Sequence, residues 1–245
     1  MKNALEDLAY PGRGIVIGMT GKGDLFVAYF VTGRSPSSQA RRFGRDGKMV
    51  FTEPTDHAVL AKGNPDLLIY NAVLWNEKPG VVAVSNGKQT DTVFSYGVCS
   101  TGPDVDLKDA TRQWNYEPDK PNFTPRISGL VLLVENDLIA AQLGIISRGA
   151  DGQAVRRMFD LTNAINACRD VGFAYLLTTY KGGSESPLLP FEGNPQKLSI
   201  EGISAGEICE EVGGMLDDRL RVGVAALCVP SKYGDYKPAV INYHE

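Results

Sequence analysis

Short apolar runs rich in β-branched residues, separated by polar and turn-forming positions, dominate the chain and predict strands. Residues 13–19 and 24–32 are two such β-rich runs, and Thr20-Gly21-Lys22-Gly23 between them has the composition of a hairpin turn. Further runs at 48–52, 67–74, 81–84, 126–134 and 138–147 carry β-branched residues and are flanked by Gly, Pro, Asn or Asp, which predicts more strands. A strand over 221–229, the turn region 230–234 and a last strand near 239–243 complete the series.

Helical spacing is rarer. Residues 90–99 and 107–114 fit short helices, and 205–220 fits a longer one. Ser204 and Glu207 have the spacing of a capping box at the start of that longer helix, and Ile208, Val212, Met215 and Leu216 fall on one of its faces. The stretch 159–180 fits either period. Residues 181–197, rich in Gly, Ser and Pro, read as a long loop, either a lid or a plain surface connection. Hairpin-linked strands interrupted by few helices predict an α+β fold of two packed sheets with helices outside, and disfavour the dinucleotide-binding βαβ winding.

Composition narrows the function classes. No charge run or low-complexity seam divides the 245 residues, so 1–245 reads as a single domain. With 43% hydrophobic and 22% charged residues the chain has globular composition, and its net charge of -4 offers no general basic field for nucleic acid. The N-terminal segment has no apolar signal core and the longest apolar run, 224–229, is too short for a bilayer, so the expected setting is the cytoplasm without a membrane partner. Cys99, Cys168, Cys209 and Cys228 form no C-x-x-C pair, which removes the zinc-ribbon and thioredoxin readings and suits buried, inert thiols. Self-association is left open.

Two tempting motifs fail on spacing. Gly18 to Gly23 lacks the Walker A pattern, and Gly12-Arg13-Gly14 does not complete a G-x-G-x-x-G; both read as turns. His57 in a polar loop and the penultimate His244 are poorly placed as general bases.

Four segments in order, Thr32-Gly33-Arg34-Ser35, Leu68-Ile69-Tyr70-Asn71, Val84-Ser85-Asn86-Gly87 with Thr90-Asp91, and Tyr116-Glu117 followed by Thr124-Pro125-Arg126-Ile127, resemble the archaeal-type IMP cyclohydrolase family. The resemblance implies a four-layer αββα sandwich similar to N-terminal nucleophile hydrolases. It also implies closure of 5-formamidoimidazole-4-carboxamide ribotide to IMP with loss of water, with a purine ribotide as partner and neither cofactor nor metal. The chain departs from the family pattern at Gly33, where a serine precedes the arginine in relatives, and at Gln89, where relatives often carry histidine.

The chemistry needs two groups held in contact, an oxyanion stabilised and a hydroxyl protonated, while a ribose phosphate calls for guanidinium and hydroxyl donors. Arg34 and Ser35, directly after a strand, are the first choice for the anion; the plain alternative is a solvated Arg/Ser loop, which is also how Arg41 and Arg42 read. Tyr70 is a core phenol or an oxyanion donor, and Asn86 a ligand donor or a helix cap. Asn71, Thr90 and Asp91 join the substrate-binding set. Glu117 and Arg126 bracket a turn-rich segment that, folded back, makes a carboxylate–guanidinium pair for proton transfer and substrate binding, or only a structural salt bridge.

Two rivals use the same scaffold. One is a regulatory protein that binds purine ribotides without turning them over; the other, weaker, is an amide hydrolase, which would need Cys, Ser or Thr at a mature N-terminus where this chain reads Met1-Lys2-Asn3.

Overall fold

The computed structural model describes residues 4–100, 105–134, 137–167, 172–230 and 234–244. Its strands, in chain order, are β1 (Arg13–Met19), β2 (Leu25–Thr32), β3 (Arg41–Asp46), β4 (Met49–Pro54), β5 (Asn71–Glu77), β6 (Gly80–Ser85) and β7 (Arg126–Val134). There follow β8 (Asp137–Arg148), β9 (Ala154–Asp160), β10 (Phe173–Thr178), β11 (Gln196–Ser199), β12 (Arg221–Val229) and β13 (Lys237–Asn242). The helices are α1 (Pro36–Gln39), α2 (His57–Leu60), α3 (Pro65–Leu68), α4 (Gln89–Cys99), α5 (Leu107–Ala110), α6 (Thr162–Asn166) and α7 (Ala205–Gly214).

The strands form two antiparallel sheets, one of six in the order β11-β10-β1-β2-β12-β13 and one of seven in the order β3-β4-β5-β6-β7-β8-β9. The inner faces meet in one apolar layer, where Ile15, Val27 and Tyr29 of the first sheet lie among Val73, Val84 and Ile127 of the second. Val16, Phe26 and Phe30 point the other way from β1 and β2 and bury against Ile208, Cys209 and Val212 of α7. Val81, Ala83 and Leu130 likewise leave the second sheet's outer face to pack on Val93 of α4 and Leu107 of α5. Because both faces of the central strands are covered, β1 and β2 are buried at every position, which is why they read as continuous apolar runs.

The expected α+β class with two packed antiparallel sheets and few helices is the observed one. The β1–β2 hairpin is closed by Thr20, whose hydroxyl accepts from the backbone N–H groups of Lys22 and Asp24 at 3.3 and 3.1 Å. The Ser204–Glu207 capping box is present, but α7 stops at Gly214, short of residue 220, where paired glycines weaken the helix and Asp217 caps a new turn at Arg219. The predicted strand 67–74 divides instead. Asn64 accepts from the Asp66 N–H as N-cap, the chain makes the single turn α3 with Pro65 at its start, and β5 starts only at Asn71. Helix α5 ends at Ala110 instead of 114 because the Thr111 hydroxyl folds back onto the Leu107 carbonyl. The ambiguous 159–180 stretch holds the end of β9, α6 and β10. Cys168 and residues 231–233 of the predicted turn lie outside the described residues.

Candidate active site

Arg13 opens β1, with Gly12 and Gly14 on either side, so Gly12-Arg13-Gly14 is not a plain turn but the start of a central strand. Its side chain is 10% exposed and lies beside Glu117, Nη2 to Oε2 at 3.8 Å. Glu117 is brought there by the fold-back of residues 117–124, whose base is closed by the Glu117 N–H donating to the Thr124 carbonyl at 2.9 Å. Arg126 at the start of β7 flanks the carboxylate on its other side, Nη1 to Oε1 at 3.9 Å. The predicted Glu117–Arg126 pair therefore exists, with Arg13 as a third member that the sequence reading missed.

Both ion contacts are too long for hydrogen bonds. Glu117 is 1% exposed and its Oε1 has no hydrogen-bond partner. Burial, acting on a carboxylate that has lost water without gaining donors, raises its pKa to about 7 against the attraction of Arg13 and Arg126.

Glu117 and Arg13 form the floor of a cavity of about 250 Å³. The β2–α1 connection supplies a wall of donors. Arg34 lies at the mouth, its guanidinium 4.7 Å above the Tyr10 ring, and Ser35 is the N-cap of α1 in a capping box with Ser38. Ser37 and Ser38 add two more hydroxyls. Gly33 permits this tight turn, since a Cβ there would lie 2.9 Å from the carbonyl carbon and oxygen of Ser38.

Arg41 corrects the reading of it as a surface residue. At 1% exposure it runs into the protein behind α1 and donates to the carbonyls of Ser38 and Leu68 at 3.0 and 3.2 Å. Its Nη2 is unpaired, as is Nε of Arg13. Arg42, the next residue, does point outward and pairs with Glu53 at 2.8 Å. The 181–197 loop closes the opposite wall through the buried Leu188 and through the Ser184 carbonyl, which accepts from Arg34 at 2.8 Å. Tyr180 completes the rim, its hydroxyl 2.6 Å from that of Thr124, which also bonds Asp119.

The remaining predicted residues lie outside this cavity. Tyr70 is buried behind Arg13, and its hydroxyl bonds that of Tyr29 at 2.8 Å. Its ring, with Asn71 and Asp91, lines a separate shallow hollow of about 490 Å³, and Asn71 donates to Asp91 at 2.8 Å. Asn86 is fully buried, and its amide is committed, donating to the Pro125 carbonyl and accepting from the Ile127 N–H and from the Gln89 side chain. Thr90 bonds the Gly87 carbonyl at 2.9 Å within the first turn of α4. Asn86, Gly87 and Thr90 thus shape the approach to Arg126 and do not line the cavity. Neither His57 nor His244 lines it either.

Three arginines and two carboxylates, Glu117 and Asp119, line the cavity, and Glu117 is only partly ionised at neutral pH. The result is a cationic cleft with unpaired donors, suited to an anionic ligand of small-molecule size. Among the described residues no group of three or more His, Cys, Asp or Glu side chains is placed to hold a metal ion. Among the described residues no helix is long and apolar enough to cross a membrane.

A family model described as IMP cyclohydrolase-like protein matches residues 10–230, a span that contains every residue of this cavity. The chain belongs to the IMP cyclohydrolase-like protein family. No curated protein matches it. The matched span runs from Tyr10 at the cavity rim to just past β12, so it covers the seven-stranded sheet, the six-stranded sheet except β13, and the cavity.

Proposed function

We propose that this family member is an IMP cyclohydrolase, closing 5-formamidoimidazole-4-carboxamide ribotide to IMP with release of water. The observation that carries the reading is Glu117, a buried carboxyl titrating near neutrality, at the floor of a cavity whose wall is built of arginines and serines. Such a carboxyl is suited to proton transfer in both directions, because both of its forms are populated at the working pH.

In the reaction the carboxamide nitrogen bonds to the formyl carbon, and the formyl oxygen becomes a hydroxyl and departs. One hydrogen of the water released comes from the carboxamide nitrogen and one from the formamide nitrogen. Glu117 takes the proton from the attacking nitrogen and returns a proton to the departing oxygen. Arg13, whose Nη2 lies 3.8 Å from Glu117, donates to the developing oxyanion. Tyr70, whose hydroxyl keeps one valence beyond its bond to Tyr29, assists from behind Arg13. The 5′-phosphate meets Arg34, Ser35, Ser37, Ser38 and the free Nη2 of Arg41. Arg126 holds the charge balance around Glu117. Asn71, Thr90, Asp91 and Asn86 are assigned supporting roles around Tyr70 and Arg126, on the bonds they make there.

The helix, sheet, sheet and helix packing supports reading the fold as the αββα sandwich similar to N-terminal nucleophile hydrolases, and the shared inter-sheet core supports a single domain over 1–245. The cytoplasm is the setting in which such a ribotide is encountered. Equilibrium binding of the formamido ribotide, measured beside IMP formation with Arg34→Ala as control, tests the assignment. Saturable binding and turnover, both weakened in the variant, are expected. Binding without turnover would instead make the protein a ribotide-binding regulator.

A further inference from the structure

Arg126 reaches Glu117 but does not bond it, and the reason lies in its other contacts. Its Nε donates to the Asn115 carbonyl at 2.8 Å, and its Nη1 donates to Oε1 of Gln89 at 2.9 Å. One face of the guanidinium lies 5.1 Å from the centre of the Trp114 ring. On another side the chain is bare glycine: a Cβ on Gly87 would lie 2.5 Å from Nη1, so no other residue fits there without moving the guanidinium. Gln89 is itself fully buried and fixed, its Nε2 donating to Oδ1 of Asn86 at 3.0 Å and to the Ile127 carbonyl at 3.3 Å. Against these bonds the Nη1 to Glu117 Oε1 separation is 3.9 Å, and that oxygen has no hydrogen-bond partner.

We infer that Gln89 is a positioning residue whose side-chain carbonyl holds the Arg126 guanidinium off Glu117, so that the buried carboxyl keeps an unpaired oxygen open to a proton. The amide suits this task because it is neutral: it accepts strongly from Arg126 while adding no charge of its own to a site where charge would shift the carboxyl. A direct, short Arg126–Glu117 bond would favour the ionised carboxylate. The other charged groups facing Glu117 are Arg13 on β1 and Arg41 on β3, which favour ionisation, and Asp119 in the fold-back loop, which opposes it. None of these touches Gln89 by hydrogen bond, so changing residue 89 leaves their contribution in place.

The test reads the protonation of Glu117 directly and does not depend on turnover. The intact protein, labelled with carboxyl-13C glutamate, is titrated by NMR as wild type, Gln89→Met and Gln89→Glu, with Glu117→Gln identifying the Glu117 resonance by its loss. Gln89→Met removes the acceptor and frees Nη1 for Glu117, so the midpoint falls by about one pH unit, a tenfold loss of proton affinity. Gln89→Glu keeps an acceptor for Arg126 and adds a negative charge, so the midpoint rises. Opposite shifts in two variants of one residue are not produced by general loosening of the fold. Should Gln89→Met fail to fold, Gln89→Glu still decides by its sign. An unchanged midpoint in either folded variant, or a rise in Gln89→Met, overturns the inference even if ring closure is confirmed. Absence of turnover with the predicted shifts would instead remove the cyclohydrolase reading and leave this role intact.

Discussion

The hydroxyls of Tyr29 and Tyr70 meet at 2.8 Å between the two sheets, Tyr29 carried on β2 of one and Tyr70 placed just before β5 of the other. Both are buried, and burial, with Tyr70 adjacent, holds the Tyr29 phenol well above its ordinary pKa, so Tyr29 keeps its proton in this hydrogen bond across the inter-sheet core. Tyr70→Phe or Tyr29→Phe leaves one buried hydroxyl unpaired and is expected to cost about 1–3 kcal/mol, with the double variant costing less than the sum. Urea unfolding of the four proteins measures this. Additive losses would mean that the two hydroxyls do not support one another.

Glu117 gives the stability of the protein a definite pH dependence. Its pKa in the fold, about 7, lies above the ordinary value of 4.5, so the folded state binds the proton more tightly than the unfolded chain. That contribution is present in full below pH 4.5 and is lost as the pH rises through 7. Wild type should therefore lose stability relative to Glu117→Gln between pH 5 and pH 8, by up to about 3 kcal/mol. Denaturant melts at the two pH values check the sign; a gap that is constant or widens in favour of wild type contradicts it.

Arg41 is a buried charge held by two carbonyls with one nitrogen unpaired, and burial lowers its pKa. Arg41→Met should be as stable as wild type or more so without ligand, because an apolar side chain of similar length removes the desolvation cost. It should also lose the response to nucleotide. IMP at a hundred times its Kd should stabilise wild type by about 2.7 kcal/mol, read as a rise in Tm, and should do little for the variant. Equal rises in both proteins would remove Arg41 from the phosphate site.

Gly33 is fixed by the turn that follows it. Gly33→Ser places a Cβ against the Ser38 carbonyl, 2.9 Å away, so either α1 or the end of β2 must shift. A loss of about 1–3 kcal/mol is expected, with weaker ribotide binding because Ser35, Ser37 and Ser38 move with the turn. Thermal melts and ligand titration of this variant are sufficient; wild-type behaviour in both would show that the turn relaxes freely.

The central strands were legible because they are apolar on both faces. β7 and β12 match their predicted spans, and β1 follows its run residue for residue. The edge strands β3 and β9 were not: Arg41-Arg42-Phe43-Gly44-Arg45-Asp46 is largely polar, the apolar residues of Ala154–Asp160 are split by Arg156 and Arg157, and the pairing of both is decided by the neighbouring strand. Missing β3 had a direct consequence for the site, because Arg41 at its start faces inward while Arg42 faces out. Of the predicted residues, Arg34, Ser35 and Glu117 line the cavity and Arg126 stands beside Glu117, and local motifs carry all four. Arg13, Tyr29 and Tyr180 sit in apolar or turn-like surroundings, and only the antiparallel pairing of β1 with β2 and β10 draws them together. Gln89, first noticed as a departure from a family pattern, acquires a physical role only once Arg126 is seen to bond it.

The most direct measurement is IMP formation from purified protein and 5-formamidoimidazole-4-carboxamide ribotide, followed by absorbance and chromatography in wild type and Glu117→Gln. Wild type should form IMP well above the uncatalysed rate, and a folded Glu117→Gln that still binds the ribotide should be slower by at least about a hundredfold. Wild type no faster than the uncatalysed closure, or a variant as fast as wild type, would contradict ring closure driven by proton transfer at Glu117.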